Sequence, residues 1–368
     1  MVEKLSSIFW VAITGLLLHF SLSAQTSLTL NVATAGTLSS LIAGTGYSRD
    51  SITNLTLTGN LNGTDIQVIR EMAGCCDRIN GGYCALGTDR GSLTTLDLSG
   101  ANIISGGGYY LRIDNYDPYH PSLYTLCYTS DNTISYGIFF GSQLKNIILP
   151  INLTSIGDYA FYSCGGLTSF TIPNSVTSIG SDAFAYTELS NIIIPDNVIS
   201  IGKNAFWGCT FLTRITFPDN VGLIGNYAIA YCSSLTEIYC KNPTPPIVSS
   251  GLPATNDNTF IGVNINTCKL YVPRGSATAY KASFWNYFSN IIETDFTDIT
   301  PINKDNATIK SVTNGIYVKT NIQMPVSVYN LSGQKVYQSI INGNTEIPLN
   351  KGIYIVKVNN ESEKVIVK

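Results

Sequence analysis

Between residues 144 and 240 the hydrophobic positions return at a fixed interval. Four segments align, LKNIILPINLTSIGDYAFYSCGG, LTSFTIPNSVTSIGSDAFAYTE, LSNIIIPDNVISIGKNAFWGCTF and LTRITFPDNVGLIGNYAIAYCSS, and a fifth starts at Leu235 as LTEIYC. Their leading leucines fall at 144, 167, 189, 212 and 235, a period of 23 with one unit of 22. Prolines 150, 173, 195 and 218 and glycines 157, 180, 202 and 225 keep step. A fixed period of this length predicts a solenoid. Within one unit, Leu144, Ile147 and Leu149 point inward from a short strand that Pro150 ends. Ile156 and Phe161 return to the core, Gly157 turns the chain, and Cys164 closes the unit as a small hydrophobe. A lone unit buries too little apolar surface to offset the ordering of its backbone, so neighbours must stack on both faces and the ends need caps.

Caps are legible on both sides. Upstream, Leu55-Thr-Leu57 reads as a strand and Asp65–Met72 as a short helix capped by Thr64, within an irregular N-terminal region spanning 25–143. Behind the array, in a region spanning 241–293, Cys268–Pro273 gives one more strand and Tyr280–Phe288 a short aromatic helix that seals the end. The stretch 294–306 is polar and aperiodic, a linker. Beyond it, 307–368 alternates in the manner of strands: Ile316–Val318, Val326–Tyr329 and Lys335–Tyr337 joined through an Asn330–Gly333 turn, Gly352–Val358, and Lys364–Lys368. Several strands in so short a stretch predict a small β-sandwich.

The first 24 residues change the compartment. Lys4, an apolar run from Ile8 to Leu18, and Ser21-Leu22-Ser23-Ala24 before Gln25 form a secretory signal peptide with a small-residue cleavage site. The run is short for a membrane span, and no later segment is long enough, so no transmembrane segment is expected in the mature chain. Net charge is −3, which argues for no nucleic-acid partner. Its distribution is uneven: residues 25–296 carry 12 basic and 18 acidic side chains, whereas 297–368 carry 8 lysines and 5 acids, which suits two modules with different roles.

Candidate chemistry is sparse. Of two histidines, His19 lies in the signal segment and His120 sits alone between prolines, so no two-histidine metal site is possible. Gly106-Gly107-Gly108 lacks the lysine of a phosphate loop. Asp114 and Asp117 read as turn residues before they read as a glycosidase pair. Cys75 or Cys76 pairs with Cys84, or these cysteines hold zinc with Cys127; Cys240 and Cys268 are either bridged or buried; Cys164, Cys209 and Cys232 are reduced core residues. No cofactor, metal site or catalytic residue is expected.

The strand pattern leaves three outward columns on a concave face. The first is Lys145, Thr168, Ser190, Thr213 and Thr236; the second Asn146, Ser169, Asn191, Arg214 and Glu237; the third Ile148, Thr171, Ile193, Thr216 and Tyr239. Ile148, Ile193 and Tyr239 among polar neighbours have the composition of a binding surface, although β-branched residues also favour strands wherever they sit. The expected ligand-binding set is Ile148, Thr171, Ile193, Arg214, Thr216, Glu237 and Tyr239. A second set, Tyr162, Tyr186, Trp207 and Tyr231, follows the AF positions; these rings either stack on sugars or pack between coils, and packing is the expectation.

The IP-(x)-N-x-V-TSIG-xx-AF-xx-C pattern with its leading leucine resembles the BspA-like leucine-rich repeats of bacterial surface proteins, over 144–240 closely and over about 50–293 in outline. Leu93-Thr-Thr-Leu96-Asp-Leu98-Ser-Gly-Ala101-Asn-Ile103 has the form of an ordinary leucine-rich repeat. Thr187 stands where cysteine is expected and Ile229 where phenylalanine is. VSVYNLSGQKVYQS, LNKGIYIVKV and the terminal VIVK resemble the C-terminal sorting domain of type IX secretion in Bacteroidetes. That resemblance implies passage across the outer membrane, with the tail removed and the body attached to the cell surface or released, and it places the secretion signal at Val328, Tyr329, Asn330, Gly333, Gly352, Tyr354 and Val367. The resulting expectation is a leucine-rich-repeat solenoid, with short parallel strands on the concave face and turns and short helical pieces on the convex side, followed by an Ig-like sandwich. Its expected role is adhesion to an extracellular protein or glycan ligand, its other partner being the type IX secretion machinery. The alternatives are a structural surface component without a specific ligand and a glycan-processing enzyme.

Overall fold

The computed structural model describes residues 26–75, 78–80, 83–85, 91–114, 124–249, 259–296, 307–312, 315–330, 335–358 and 361–367. The signal segment, His120, Asp117, most of the linker and Gly333 lie outside them, as do the side chains of Cys76, Cys84 and Asp114. The chain forms two compact units, one running to Leu270 and including Thr278–Ile291, the other comprising Tyr271–Ala277 and Ile292–Lys368. The sequence places the boundary at 294. The second unit takes Tyr271–Ala277 as well, a segment tied to it by the Ala277 N–H on Glu293 (2.9 Å) and by Arg274 on Asp295 (2.6 Å).

In the first unit, parallel strands Thr26–Val32, Ile52–Leu61, Thr95–Ile103 and Asn146–Ile148 form one ladder, and Asn191–Ile193, Arg214–Phe217 and Glu237–Cys240 continue the LxxIxI pattern in another. The residues between, Thr168–Ile172, form no strand. Here Phe170 occupies the position that isoleucine holds in the other coils, and its ring packs on Phe161 (4.8 Å) and Phe184 (5.0 Å).

The opposite side departs from expectation. In place of helical pieces, residues 132–249 carry a second parallel ladder built from the TSIG segments: Thr133–Ile134, Ser155–Ile156, Ser178–Ile179, Ser200–Ile201, Leu223–Gly225 and Ile247–Ser249. Gly157 and Gly225 open hydrogen-bonded turns, accepting from the N–H groups of Ala160 (3.4 Å) and Ala228 (3.1 Å), and none of the TSIG glycines has a positive φ. They let coils touch backbone to backbone: a Cβ on Gly202 would stand 2.4 Å from the Gly180 carbonyl carbon, and one on Gly225 2.4 Å from the Lys203 nitrogen.

Two side-chain ladders fill the core between these faces. Phe139, Phe161, Phe184 and Phe206 stack coil on coil, with ring centroids 5.2–5.4 Å apart and planes 2–15° from parallel. Beside them Cys164, Cys209 and Cys232 each point the thiol at the phenylalanine carbonyl of the preceding coil, Phe139, Phe184 and Phe206, at 3.0, 3.1 and 3.2 Å. Thr187 breaks this rule by donating to Phe184 in its own coil (2.8 Å). The ladder starts before residue 144, since Ile134, Phe139 and Ser142 hold the isoleucine, phenylalanine and cysteine positions of one further coil.

The caps follow from local chemistry. Helix Gly63–Met72 is capped by Asn62, two residues before the expected Thr64: the Asn62 side chain accepts from the Thr64 and Asp65 N–H groups, and Asp65 answers on the Asn62 N–H (3.1 Å). Fully buried Asp65 also accepts from the N–H groups of Gly36 (2.6 Å) and Leu38 (2.9 Å), so its charge is met by three backbone dipoles. At the other end Trp285 and Tyr280 are fully buried; the indole donates to the Pro246 carbonyl (3.1 Å) and the phenol to that of Asn242 (2.7 Å). The aromatic seal is a short helix, Ala277–Lys281, followed by a 3-10 turn, Phe284–Tyr287.

Among the described residues of the second unit, strands Ala307–Val312, Gly315–Asn330, Lys335–Pro348, Gly352–Val358 and Glu361–Val367 join in one hydrogen-bonded antiparallel sheet. Gly315–Asn330 is long enough to pair with three neighbours, its register shifting between Thr320 and Met324. Ile316, Val318, Val326, Val328, Val356 and Val367 form its own hydrophobic core.

Candidate functional site

The LxxIxI ladder presents the outward columns much as the alternation requires. Lys145, Asn146, Thr168, Thr171, Ser190, Asn191, Ile193, Thr213, Arg214 and Thr236 are exposed, whereas Ile148, Ser169, Glu237 and Tyr239 are half-buried. Thr216 is the exception, at 5% exposed. In parallel register it lies between Ile193 and Tyr239, and the two larger side chains leave it on the floor of the face. The first column is occupied with holding coils together: Thr213 Oγ1 donates to the Ser190 carbonyl (2.9 Å) and Thr236 Oγ1 to that of Thr213 (3.2 Å).

Register also assembles a cluster that spans columns. Arg214 sits directly beside Glu237, and Thr216 beside Tyr239. The Arg214 guanidinium donates to Glu237 Oε2 through Nε (2.8 Å) and Nη2 (2.6 Å), and lies over the Tyr239 ring, 5.4 Å from its centroid. Tyr239 in turn donates its hydroxyl to the same Glu237 oxygen (3.3 Å). One carboxylate thus fixes an arginine and a tyrosine in place, on the two strands that follow that of Ile193, which is 41% exposed. The columns were legible in the strand period; this network was not, although the offset of 23 between Arg214 and Glu237 carries its signal.

On the turn side, the second set of aromatics is not in one register. Tyr162 and Trp207 follow the phenylalanine directly, while Tyr186 and Tyr231 stand one residue later, at left-handed positions (φ 58° each) that Gly141 and Gly208 fill in other coils. The sets alternate, so that rings pair across coils: Tyr162 with Tyr186 (5.4 Å) and Trp207 with Tyr231 (5.4 Å).

The described cysteines serve the core. Cys127, Cys164, Cys209, Cys232, Cys240 and Cys268 are buried and unbridged, which settles Cys240 and Cys268 as buried thiols. Burial pushes Cys164 up to about 12 and Cys209 up to about 11, so both stay protonated near neutrality. Cys75 lies against the Ile138 carbonyl (3.9 Å), and pairing of Cys76 with Cys84 falls outside the described residues. Among the described residues no three His, Cys, Asp or Glu side chains gather as metal ligands, and no helix is long and apolar enough to cross a membrane.

In the tail, Val328, Val356 and Val367 point into the core, and Tyr329 and Asn330 pair with Ile355 and Tyr354. Gly352 leaves room for the Tyr354 ring, whose carbon atoms a Cβ there would meet at 3.3 Å. That ring is held by its hydroxyl on the Asn350 carbonyl (3.0 Å).

Comparison with known proteins agrees with this anatomy. The family model for the BspA type Leucine rich repeat region matches residues 132–250 in six copies, extending the array at both ends, as the second ladder does. The model for the Secretion system C-terminal sorting domain matches 303–368. No curated protein matches the chain. Among solved structures it is similar to the pneumococcal vaccine antigen PcpA (19% identity, TM-score 0.35), with 67% of this chain covering 58% of that one. It is also similar to a leucine-rich repeat protein from Bacteroides ovatus (18% identity, TM-score 0.23, 67% of this chain and 84% of that). A leucine rich cell surface protein from Faecalibacterium prausnitzii shows 15% identity and a TM-score of 0.24 over 73% and 83% of the two chains. The chain therefore spans less than two thirds of PcpA. Residues 132–250 are a BspA-type leucine-rich-repeat region and residues 303–368 a type IX secretion sorting domain, so the chain is an exported cell-surface protein carried across the outer membrane.

Proposed function

We propose that the chain is a surface-displayed binding or adhesion protein, without catalytic activity, whose strand ladder recognises an extracellular protein or glycan. The Arg214–Glu237–Tyr239 network, on the same face as exposed Ile193, carries this reading. An exposed ion pair adds little to stability, so its value here lies in preorganisation. Arginine and tyrosine are residue types that dominate binding energy, and here both are held ready on a face that also offers an apolar side chain able to gain by leaving water. Ile148, Thr171, Ile193, Arg214, Glu237 and Tyr239 form the contact surface, and Thr216 supports Ile193 and Tyr239 from below. In the tail, Val328, Tyr329, Asn330, Gly333, Gly352, Tyr354 and Val367 make up the secretion signal, and we read the shifted sheet as a small β-sandwich.

The test is a binding screen of the full chain against immobilised extracellular-matrix proteins and glycans. Saturable binding that unlabelled protein competes away supports recognition. Absence of such binding across the panel leaves the chain a structural surface component, and breakdown of a panel glycan would make it an enzyme.

A further inference from the structure

The turn side of the array carries an open cavity of about 580 Å³, lined chiefly by Tyr186, Trp207, Gly208, Phe211, Tyr231 and Glu188. Tyr186, Tyr231 and Phe211 remain 48%, 44% and 59% exposed although each carries a large ring. Soluble proteins seldom leave several aromatic side chains together in water without a use for them.

The rings are also fixed in place. Tyr186 lies on Gly208, where an added Cβ would stand 2.9 Å from two of its ring carbons; Tyr231 lies likewise against Gly262, at 3.0 Å. Trp207 is braced between Tyr227 (5.3 Å) and Tyr231 (5.4 Å). Tyr231 is thus packed against both Trp207 of the preceding coil and Gly262, while Tyr186 and Phe211 keep about half of their surface open to water. The left-handed position is a demand of every coil, met in turn by Gly141, Ser163, Tyr186, Gly208 and Tyr231. Tyr186 and Tyr231 belong to coils two apart, and coils stack about 4.8 Å apart, so the two tyrosines sit roughly 10 Å apart along the array, the span of two pyranose rings.

We propose that this cavity is a second binding site, for a neutral carbohydrate chain running along the solenoid axis, on the reading that the array is a binding module. Aromatic faces take the C–H faces of sugar rings, and the Glu188 carboxylate at the rim accepts from sugar hydroxyls. Among the described residues no lysine or arginine lines the cavity, so an acidic glycan would meet the Glu188 carboxylate there.

Titration of the full chain with neutral cello-, malto-, xylo- and manno-oligosaccharides, followed by tryptophan fluorescence and calorimetry, tests this. At least one series should bind saturably, longer chains more tightly than disaccharides. Trp207→Ala and Phe211→Ala should each weaken it about ten-fold with the melting curve of the Phe211 variant unchanged. Absence of saturable binding by every neutral series overturns the proposal. So does binding that survives Phe211→Ala and Trp207→Ala, or that is lost on Tyr239→Ala, which would place the sugar on the strand face and leave the broader binding role intact. Capture of only acidic glycans or only proteins also contradicts it.

Discussion

Phe184 is fully buried, with parallel rings on both sides at 5.2 and 5.4 Å and Phe170 edge-on at 5.0 Å. Phe184→Ala should therefore cost about 3–5 kcal/mol, measured by denaturant unfolding. Thr187→Cys should shift stability by less than about 1 kcal/mol, because the thiol takes the place it holds in neighbouring coils and keeps contact with Cys209. Equal effects from the two would contradict the stacking. The thiols add a pH signature. Folded Cys164 and Cys209 hold their protons to about 12 and about 11, against 9.0 ordinarily, so the folded state binds the proton more tightly than the unfolded one. Stability should be level from neutral pH to about 9 and fall above it, and alkylating reagents at pH 8 should spare both thiols until the chain unfolds. Residue roles were legible wherever one period repeats one demand. Cys164, read as a small hydrophobe, is a donor to the previous coil, because a side chain's partner across coils leaves no mark within a unit.

Among the elements, the strand carrying LxxIxI follows from alternation and proline, but the second ladder does not. Its strands are mostly two residues long, too short for a period to register, and TSIG reads as a turn because glycine has two uses. The structure separates those uses: at Gly202 a methyl would press on the backbone of Gly180 and Ser181, at 2.4 Å from each. Gly202→Ala should thus destabilise by about 1–3 kcal/mol through overpacking, seen as a lowered melting temperature. Gly222→Ala, where an added Cβ meets nothing within 4 Å, should have little effect. Similar melting temperatures for the two variants would contradict the backbone-to-backbone contact.

For the whole molecule, the unevenness of charge and the change of pattern after residue 294 anticipate two units, each with its own core. Deleting residues 297–368 should leave the melting temperature of the solenoid within a few degrees of the full chain while abolishing surface display, checked by cell fractionation. A large loss of stability would mean that the tail supports the fold. The strand face was legible as columns, because period two in a strand and period 23 along the chain together fix a grid. What a linear reading hides is how neighbouring grid points interact, as Arg214, Glu237 and Tyr239 do, or how two bulky neighbours bury Thr216. The most direct measurement of the proposed role is the affinity of Tyr239→Ala and Thr168→Ala, beside the unaltered chain, for the ligand that the screen returns. Loss of about 2 kcal/mol or more with Tyr239→Ala, and none with Thr168→Ala, is the predicted result. Unchanged affinity in a normally folded Tyr239→Ala would contradict recognition through the strand face.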